Sequence, residues 1–344
     1  MSIIEKEKKK RKRKKEEKKK RGKKMLKRIS KLSAVLGLCL CMSMLFTGCA
    51  SESASTTGDG VLNIVSTTTM LTDLAMEIGG DKVSVTPLMG PGVDPHEYVA
   101  TESDVSALTD AEVVLYSGLH LEAKMGDVLG GLKDNYVICA GGEFHDDELH
   151  GGALVKEDLN YYQGEVDPHF WFDISLWKKV ASYVADELGK ADPDNAVYYA
   201  ENAKKYVMEL EVLEFYTAEK ISTIPDAQRV LITAHDAYGY FARKYGLEVY
   251  APQGISTTAE ASQSAIAEVA QYVVDNKIKT MFVETSTSNK NIQSIQQAAD
   301  SMGWKVAIAD TYLYSDSIGS SEDGHDSYVA AVKSNVDAIV GSLK

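Results

Sequence analysis

Residues 192–225 read DPDNAVYYAENAKKYVMELEVLEFYTAEKISTIP. Asp192 ahead of Pro193 is a helix start, because a proline in the first turn forfeits no hydrogen bond and already holds a helical φ. Pro225 is a stop. Between them Val197, Ala200, Ala203, Val207, Leu210 and Leu213 keep helical spacing, with no breaker among them. About 30 residues at roughly 1.5 Å each predict a helix some 45 Å long, enough to run the length of a domain. Taken alone, the stretch also suits an ordinary surface helix.

Short β-branched runs lie on either side of it. Residues 61–65, 83–87, 113–116 and 136–139 precede it, and residues 229–233, 247–251, 280–283 and 305–309 follow, with amphipathic stretches between. Strands alternating with helical patterns predict parallel sheets covered by helices. The expected class is α/β with two lobes, 61–191 and 226–344, each a mainly parallel four-stranded sheet flanked by helices. No sequence repeat relates the two.

Four segments read as loops and carry the chemistry. They are Asp94-Pro95-His96, Asp167-Pro168-His169, Thr233-Ala234-His235-Asp236 and Tyr314-Ser315-Asp316-Ser317. Three imidazoles and a carboxylate make a complete ligand set for a divalent transition metal. His96 follows the second run, His235 the fifth and Asp316 the last, while His169 comes from a later loop of the first half. Ligands of open α/β sheets bind beyond the carboxyl ends of the strands. Two donors from each lobe would set the ion in the cleft between them. In both Asp-Pro-His segments proline stiffens the approach, and Asp94 or Asp167 can back the histidine as an acceptor. Composition leaves Asp310 as an alternative to Asp316.

These segments, in this order, resemble the metal-binding lipoproteins of bacterial ABC importers, above all the TroA-type branch that carries zinc or manganese. Residues 116–125 (YSGLHLEAKM) and 253–262 (QGISTTAEAS) share the resemblance. It implies that His96, His169, His235 and Asp316 hold one Zn2+ or Mn2+ per chain, with Asp310 as a loop cap. It also implies that residues 192–225 form one rigid helix joining the lobes, so that closure is modest. Glu284, in Met281-Phe282-Val283-Glu284-Thr285-Ser286, would pack or hydrogen-bond near the cleft without ligating, and His120 would be structural. His145 and His150 bracket an acidic stretch that resembles a short form of the family's His-rich loop. They are a candidate auxiliary metal pair, set against a solvated loop tip. The implied function is extracytoplasmic capture of the ion by a monomer and its delivery to an ABC permease and its ATPase.

The N-terminus reads as an address. Residues 32–46 are apolar and follow Lys27, Arg28 and Lys31, as in a secretory signal. The run is shorter than the roughly 20 residues that span a bilayer. Gly48-Cys49 resembles a bacterial lipobox, with Phe46 in place of the usual leucine. Residues 1–48 are therefore the expected signal, Cys49 the lipidation site, and 49–60 a polar tether to the outer face of the cytoplasmic membrane. Residues 5–24 contain only Lys, Arg, Glu and Gly, all encodable by purines alone, which suits a translated leader ahead of a true start at Met25. Cys139 is the one cysteine left to the exported chain, so no internal disulfide is expected.

Of the chain's 37 basic and 50 acidic residues, 18 and 4 lie before Cys49. The exported part thus carries a net charge near −27, which argues against nucleic acid as a partner. Two other functions fit the sequence less well. An envelope zinc metallohydrolase needs an open coordination position, and the chain has no His-Glu-x-x-His, no Gly-x-Ser-x-Gly, and Leu132 where a P-loop lysine would stand. A surface adhesin needs a receptor face that these residues do not encode.

Overall fold

A computed structural model of the chain describes residues 60–145 and 148–344. The expected signal, Cys49 and all of the tether but Gly60 lie outside the described residues. Among the described residues, no helix is long and apolar enough to cross a membrane.

The first half is built on four parallel strands, β1 (Leu62–Ser66), β2 (Val83–Pro87), β3 (Val113–Tyr116) and β4 (Tyr136–Cys139), in the order β2-β1-β3-β4. Ile64 pairs with Val85 on one side and Val113 on the other. Alternate side chains point to opposite faces. Ile64, Val113 and Leu115 meet α1 (Thr69–Gly79), while Val65, Val114 and Tyr116 join Leu108 of α2 (Glu102–Asp110) and Leu129 of α3 (Gly126–Gly130). Two small antiparallel hairpins follow, β5 (Glu143–His145) with β6 (Glu148–His150) and β7 (Tyr161–Tyr162) with β8 (Glu165–Val166). The half closes with α4 (Ile174–Ala191), capped by Asp173, whose side chain accepts from the Ser175 N–H.

The long helix is α5, Ala196–Ser222, 27 residues and about 40 Å. Pro193–Asn195 forms a 3-10 turn ahead of it, and the helix ends at Ser222, three residues before Pro225. Its buried face differs from the expected stripe. Tyr199, Ala203, Tyr206, Leu210, Leu213, Thr217 and Ile221 turn inward, whereas Ala200 is exposed and Val197 is 74% exposed. The tyrosines decide this. Each buries more area than Val or Ala and finds a partner for its hydroxyl: Tyr199 donates to Asp192 (2.6 Å), and Tyr206 accepts from the Trp177 indole (3.2 Å).

The second half contains β9 (Val230–Ile232), α6 (Gly239–Tyr245), β10 (Glu248–Tyr250), α7 (Gln263–Asp275), β11 (Thr280–Met281), α8 (Lys290–Ser301), β12 (Ala307–Ile308) and α9 (Tyr328–Leu343). β9 pairs in parallel with β10, and β11 with β12. These are two two-stranded sheets rather than the expected four-stranded one, linked where the Phe282 N–H just past β11 donates to Ile232 O of β9 (2.8 Å). Pairing is shorter than the expected runs because the ladder breaks as the chain nears the site. It resumes there only as isolated bridges, His235 with Gln253 and Glu284 with Leu313.

α5 packs against α1 and α4 of the first half and against α6 and α9 of the second. One apolar cluster therefore runs from Trp177 and Phe172 through Leu210 to Tyr238, Tyr328 and Ile339. Trp177 stacks on Tyr328 (ring centroids 5.0 Å), and Phe172 meets Tyr238 at 4.3 Å. A separate cluster, Ile232, Ile266, Val273, Met281 and Ile295, lies between the second sheet and α7 and α8.

Candidate metal centre

Each site segment is held by its own backbone contacts before any ligand is considered. After β2 the chain turns at Gly90–Val93 (Val93 N–H to Gly90 O, 3.2 Å), with Gly92 at φ +77°, a conformation that suits glycine. The Asp94 carboxylate then accepts the His96 N–H (2.9 Å) and the Thr257 hydroxyl (2.6 Å). Asp167 does more. One of its oxygens accepts the His169 N–H (3.0 Å) and also His169 Nδ1 (2.8 Å), while the other accepts Asn160 Nδ2 (3.1 Å).

Beyond β9, the Glu284 carboxylate takes the N–H groups of Ala234 (2.7 Å) and His235 (3.1 Å) that the ladder no longer pairs. Its other oxygen lies 2.6 Å from His235 Nδ1, in an ion-pair contact bent away from ideal hydrogen-bond geometry.

Asp316 sits on a segment clamped at Tyr314, whose N–H and C=O both bond the Asn335 amide (2.8 and 2.7 Å). That segment belongs to the second half by sequence, yet the first half grips it. The Gly92 N–H donates to Ser317 Oγ (2.9 Å), the Ile318 N–H to Thr69 Oγ1 (2.9 Å), and Trp171 Nε1 to Ser315 O (3.1 Å). The Tyr328 N–H donates to Asp73 (2.9 Å), and the Tyr328 hydroxyl to Trp171 O (2.6 Å).

These constraints bring His96, His169, His235 and Asp316 together, all buried, with one ligand atom from each within 4.8 Å of the others. His96 Nε2 is 3.3 Å from His169 Nε2; His169 Nε2 is 3.3 Å from Asp316 Oδ1, and His235 Nε2 is 3.3 Å from Asp316 Oδ2. Two donors about 2.05 Å from a tetrahedral ion stand about 3.3 Å apart, and each of these pairs has a spacing that suits a zinc-sized cation. With carboxylates at Nδ1 of His169 and His235, both rings turn their Nε2 lone pairs inward. Lone pairs and a carboxylate then face each other in a buried site, where a cation or a proton relieves them. His235 Nε2 and Asp316 Oδ1 are buried atoms with no hydrogen-bond partner.

Protonation follows the same logic. Burial alone would strip His169 of its proton, but Asp167 and Asp316 outweigh it and push its pKa up to about 9. His235 is likewise raised despite burial, by Asp316 and Glu284. Burial opposes charge on Asp316, yet the facing imidazoles hold its pKa well below the usual carboxylate range. For His96 burial dominates and takes it down to about 3. Without an ion, protons occupy the centre.

Residues 64–342 match the family model for the zinc-uptake complex component A, periplasmic (ZnuA). The chain belongs to the ZnuA family. It is 38% identical over 301 residues to the manganese-binding lipoprotein MntA of Bacillus subtilis, covering 87% of this chain and 95% of that protein. Identity to the zinc-binding protein TroA of Treponema pallidum is 37% over 294 residues, covering 86% of this chain and 92% of TroA. The solved structure of the periplasmic zinc-binding TroA superposes with a TM-score of 0.77, over 83% of this chain and 99% of that one.

Against this ZnuA-family frame the other sequence candidates fall into place. Asp310 is exposed and outside the cluster. His120 is exposed, with Nε2 2.9 Å from Phe144 O, and His325 Nδ1 lies 3.1 Å from the Tyr314 hydroxyl. His145 and His150 occur on β5 and β6, the latter exposed; the side chain of His145, with residues 146 and 147, lies outside the described residues. Cys139 is half-buried and free. Sequence reasoning missed Thr69, Asp73, Trp171 and Asn335. Thr69 and Asp73 left one trace, two polar residues four apart on the apolar face of α1.

Proposed function

We propose that the protein captures one divalent transition-metal ion outside the cytoplasm, through His96, His169, His235 and Asp316, and delivers it to an ABC permease and its ATPase. The observation that carries this is the buried convergence of three imidazoles and a carboxylate, in which His235 Nε2 and Asp316 Oδ1 have no hydrogen-bond partner. Three nitrogens and an oxygen complete a zinc shell without a reserved position, as befits carriage rather than catalysis. The relatives' names point the same way, since they describe binding proteins. Zinc is the first choice of ion, because imidazole-rich sites hold it more tightly than manganese; the names of the two relatives are divided between those metals.

Anchoring through a lipid on Cys49, and work as a monomer, belong to the same proposal. Several relatives are named as lipoproteins. Release fits the geometry of the centre: drawing the second sheet away takes His235 and Glu284 with it, while three hydrogen bonds from the first half to Ser315, Ser317 and Ile318 hold the Asp316 segment beside His96 and His169.

The test is metal analysis of residues 51–344, purified without added metal, and of the His96→Ala and His235→Ala variants. One tightly held equivalent, lost in both variants, supports the reading. No stoichiometric metal, or binding indifferent to both changes, rejects it.

A further inference from the structure

The segment Glu284-Thr285-Ser286 lies behind both ligands of the second half. Glu284 engages His235, and Ser286 engages Asp316: its hydroxyl lies 3.1 Å from Asp316 Oδ2 and 2.8 Å from the hydroxyl of Ser315. In this pair the hydroxyl is the donor and the carboxylate oxygen the acceptor. Ser286 therefore donates its single proton to Oδ2, and Ser315 donates to Ser286. The direction of this hydroxyl relay is fixed by chemistry, ending on one of the two Asp316 oxygens.

The other oxygen is left alone. Oδ1 is buried, 3.3 Å from His169 Nε2, and has no hydrogen-bond partner. Oδ2 lies 3.3 Å from His235 Nε2. The two oxygens are thus unequal in electron supply. A hydrogen bond to an ionised oxygen withdraws density that would otherwise go to the ion.

We propose that Ser286 is a positioning residue that makes Oδ1 the strong donor of Asp316 and holds Oδ2 back, so tuning the choice between zinc and manganese. The inference rests on the four-ligand reading given above. With Oδ2 restrained, the shell is three nitrogens and one short oxygen, the four-coordinate arrangement that zinc accepts readily. With Oδ2 released, Asp316 can bind through both oxygens, which adds a fifth donor of the hard type that manganese favours. Ser315 acts through Ser286 and carries a smaller share.

Metal-stripped protein loaded with cobalt(II) reads the coordination number, because visible d–d bands weaken when a four-coordinate site becomes five-coordinate. In parallel, zinc and manganese affinities are measured by competition with a chelator. Ser286→Ala is expected to weaken the cobalt bands and to lower the zinc-over-manganese affinity ratio about tenfold, the worth of one hydrogen bond to a charged group. Ser286→Thr keeps the hydroxyl and should retain the parent spectrum; Ser315→Ala should fall between. Melting of the stripped proteins checks folding, and Ser286→Gly serves as a second hydroxyl-free variant if the alanine protein is unfolded. An unchanged spectrum and ratio, or equal losses for both metals with the spectrum intact, overturns the role of Ser286 while leaving the metal centre standing. A parent protein that takes up no cobalt, zinc or manganese overturns the centre itself, and this proposal with it.

Discussion

Replacing Glu284 by glutamine changes almost no volume and removes one charge from behind His235. The buried Glu284 carboxylate accepts two backbone N–H groups through one oxygen and meets His235 Nδ1 at 2.6 Å through the other. Glutamine can keep the first pair with its carbonyl. Its NH2 group then stands where the second oxygen was, and it faces Nδ1 as a donor. Nδ1 must become an acceptor, so the imidazole proton moves to Nε2, the atom that points at the ion. Flipping the amide instead orphans two buried N–H groups, at about 1–3 kcal/mol each. Either route removes binding energy, and loss of such a partner ordinarily weakens a metal about 10- to 100-fold.

Asp94→Asn is the matched comparison. Asp94 touches His96 only at the backbone N–H, which an asparagine oxygen can still accept, and its other contact is the Thr257 hydroxyl. Its effect on metal affinity should stay within about threefold, because no contact to the ring is altered. Competition of stripped protein against a chromogenic chelator separates the two variants. Glu284→Gln binding as tightly as the parent, or Asp94→Asn losing as much as Glu284→Gln, would refute the argument that the carboxylate at Nδ1 sets the ligand.

Metal affinity should fall as pH drops below about 9, since the raised pKa of His169 places a proton where the ion must go; each displaced proton contributes about tenfold per pH unit. Chelator competition between about pH 6 and 9 reads this, and a flat profile would contradict it. Asp73 is pushed up to about 7, by burial first and then, against the Tyr328 N–H that lowers it, by Glu77, Asp326 and Glu209. The native state thus holds a proton that the unfolded chain has released, and the stability tied to it is full below about pH 4 and lost as pH rises through 7. Asp73→Asn should therefore be more stable than the parent above pH 7, by up to about 4 kcal/mol, with the gap closing in acid; denaturant melts at both ends of the range check it. Leu210→Ala, at a fully buried position of α5, should cost about 2–5 kcal/mol in the same melts.

Much of the site was written in the chain. Asp-Pro-His twice and a histidine directly after a strand gave three of the residues that converge; for the fourth the residue pattern left Asp310 beside Asp316, and the family resemblance chose Asp316. Strand order, the packing face of the long helix and the supports around the site were not. On α5 the periodicity could not say whether the valines or the tyrosines turn inward, because both lie at helical spacing. Only packing against Trp177 and Asp192 shows where a tyrosine hydroxyl finds its partner.

The sequence by itself determined the alternation of strands and helices and the kind of donors on offer, since periodicity and ligand type are local properties. Tertiary structure decided which donors share a centre, which imidazole nitrogen faces inward, and that the Asp316 segment is fastened to the first half. Those depend on groups far apart in the chain, such as Thr69 with Ile318, Asp73 with Tyr328 and Glu284 with His235. A hydrogen bond needs donor and acceptor within about 3 Å, and only the folded backbone sets that distance between residues so remote in sequence.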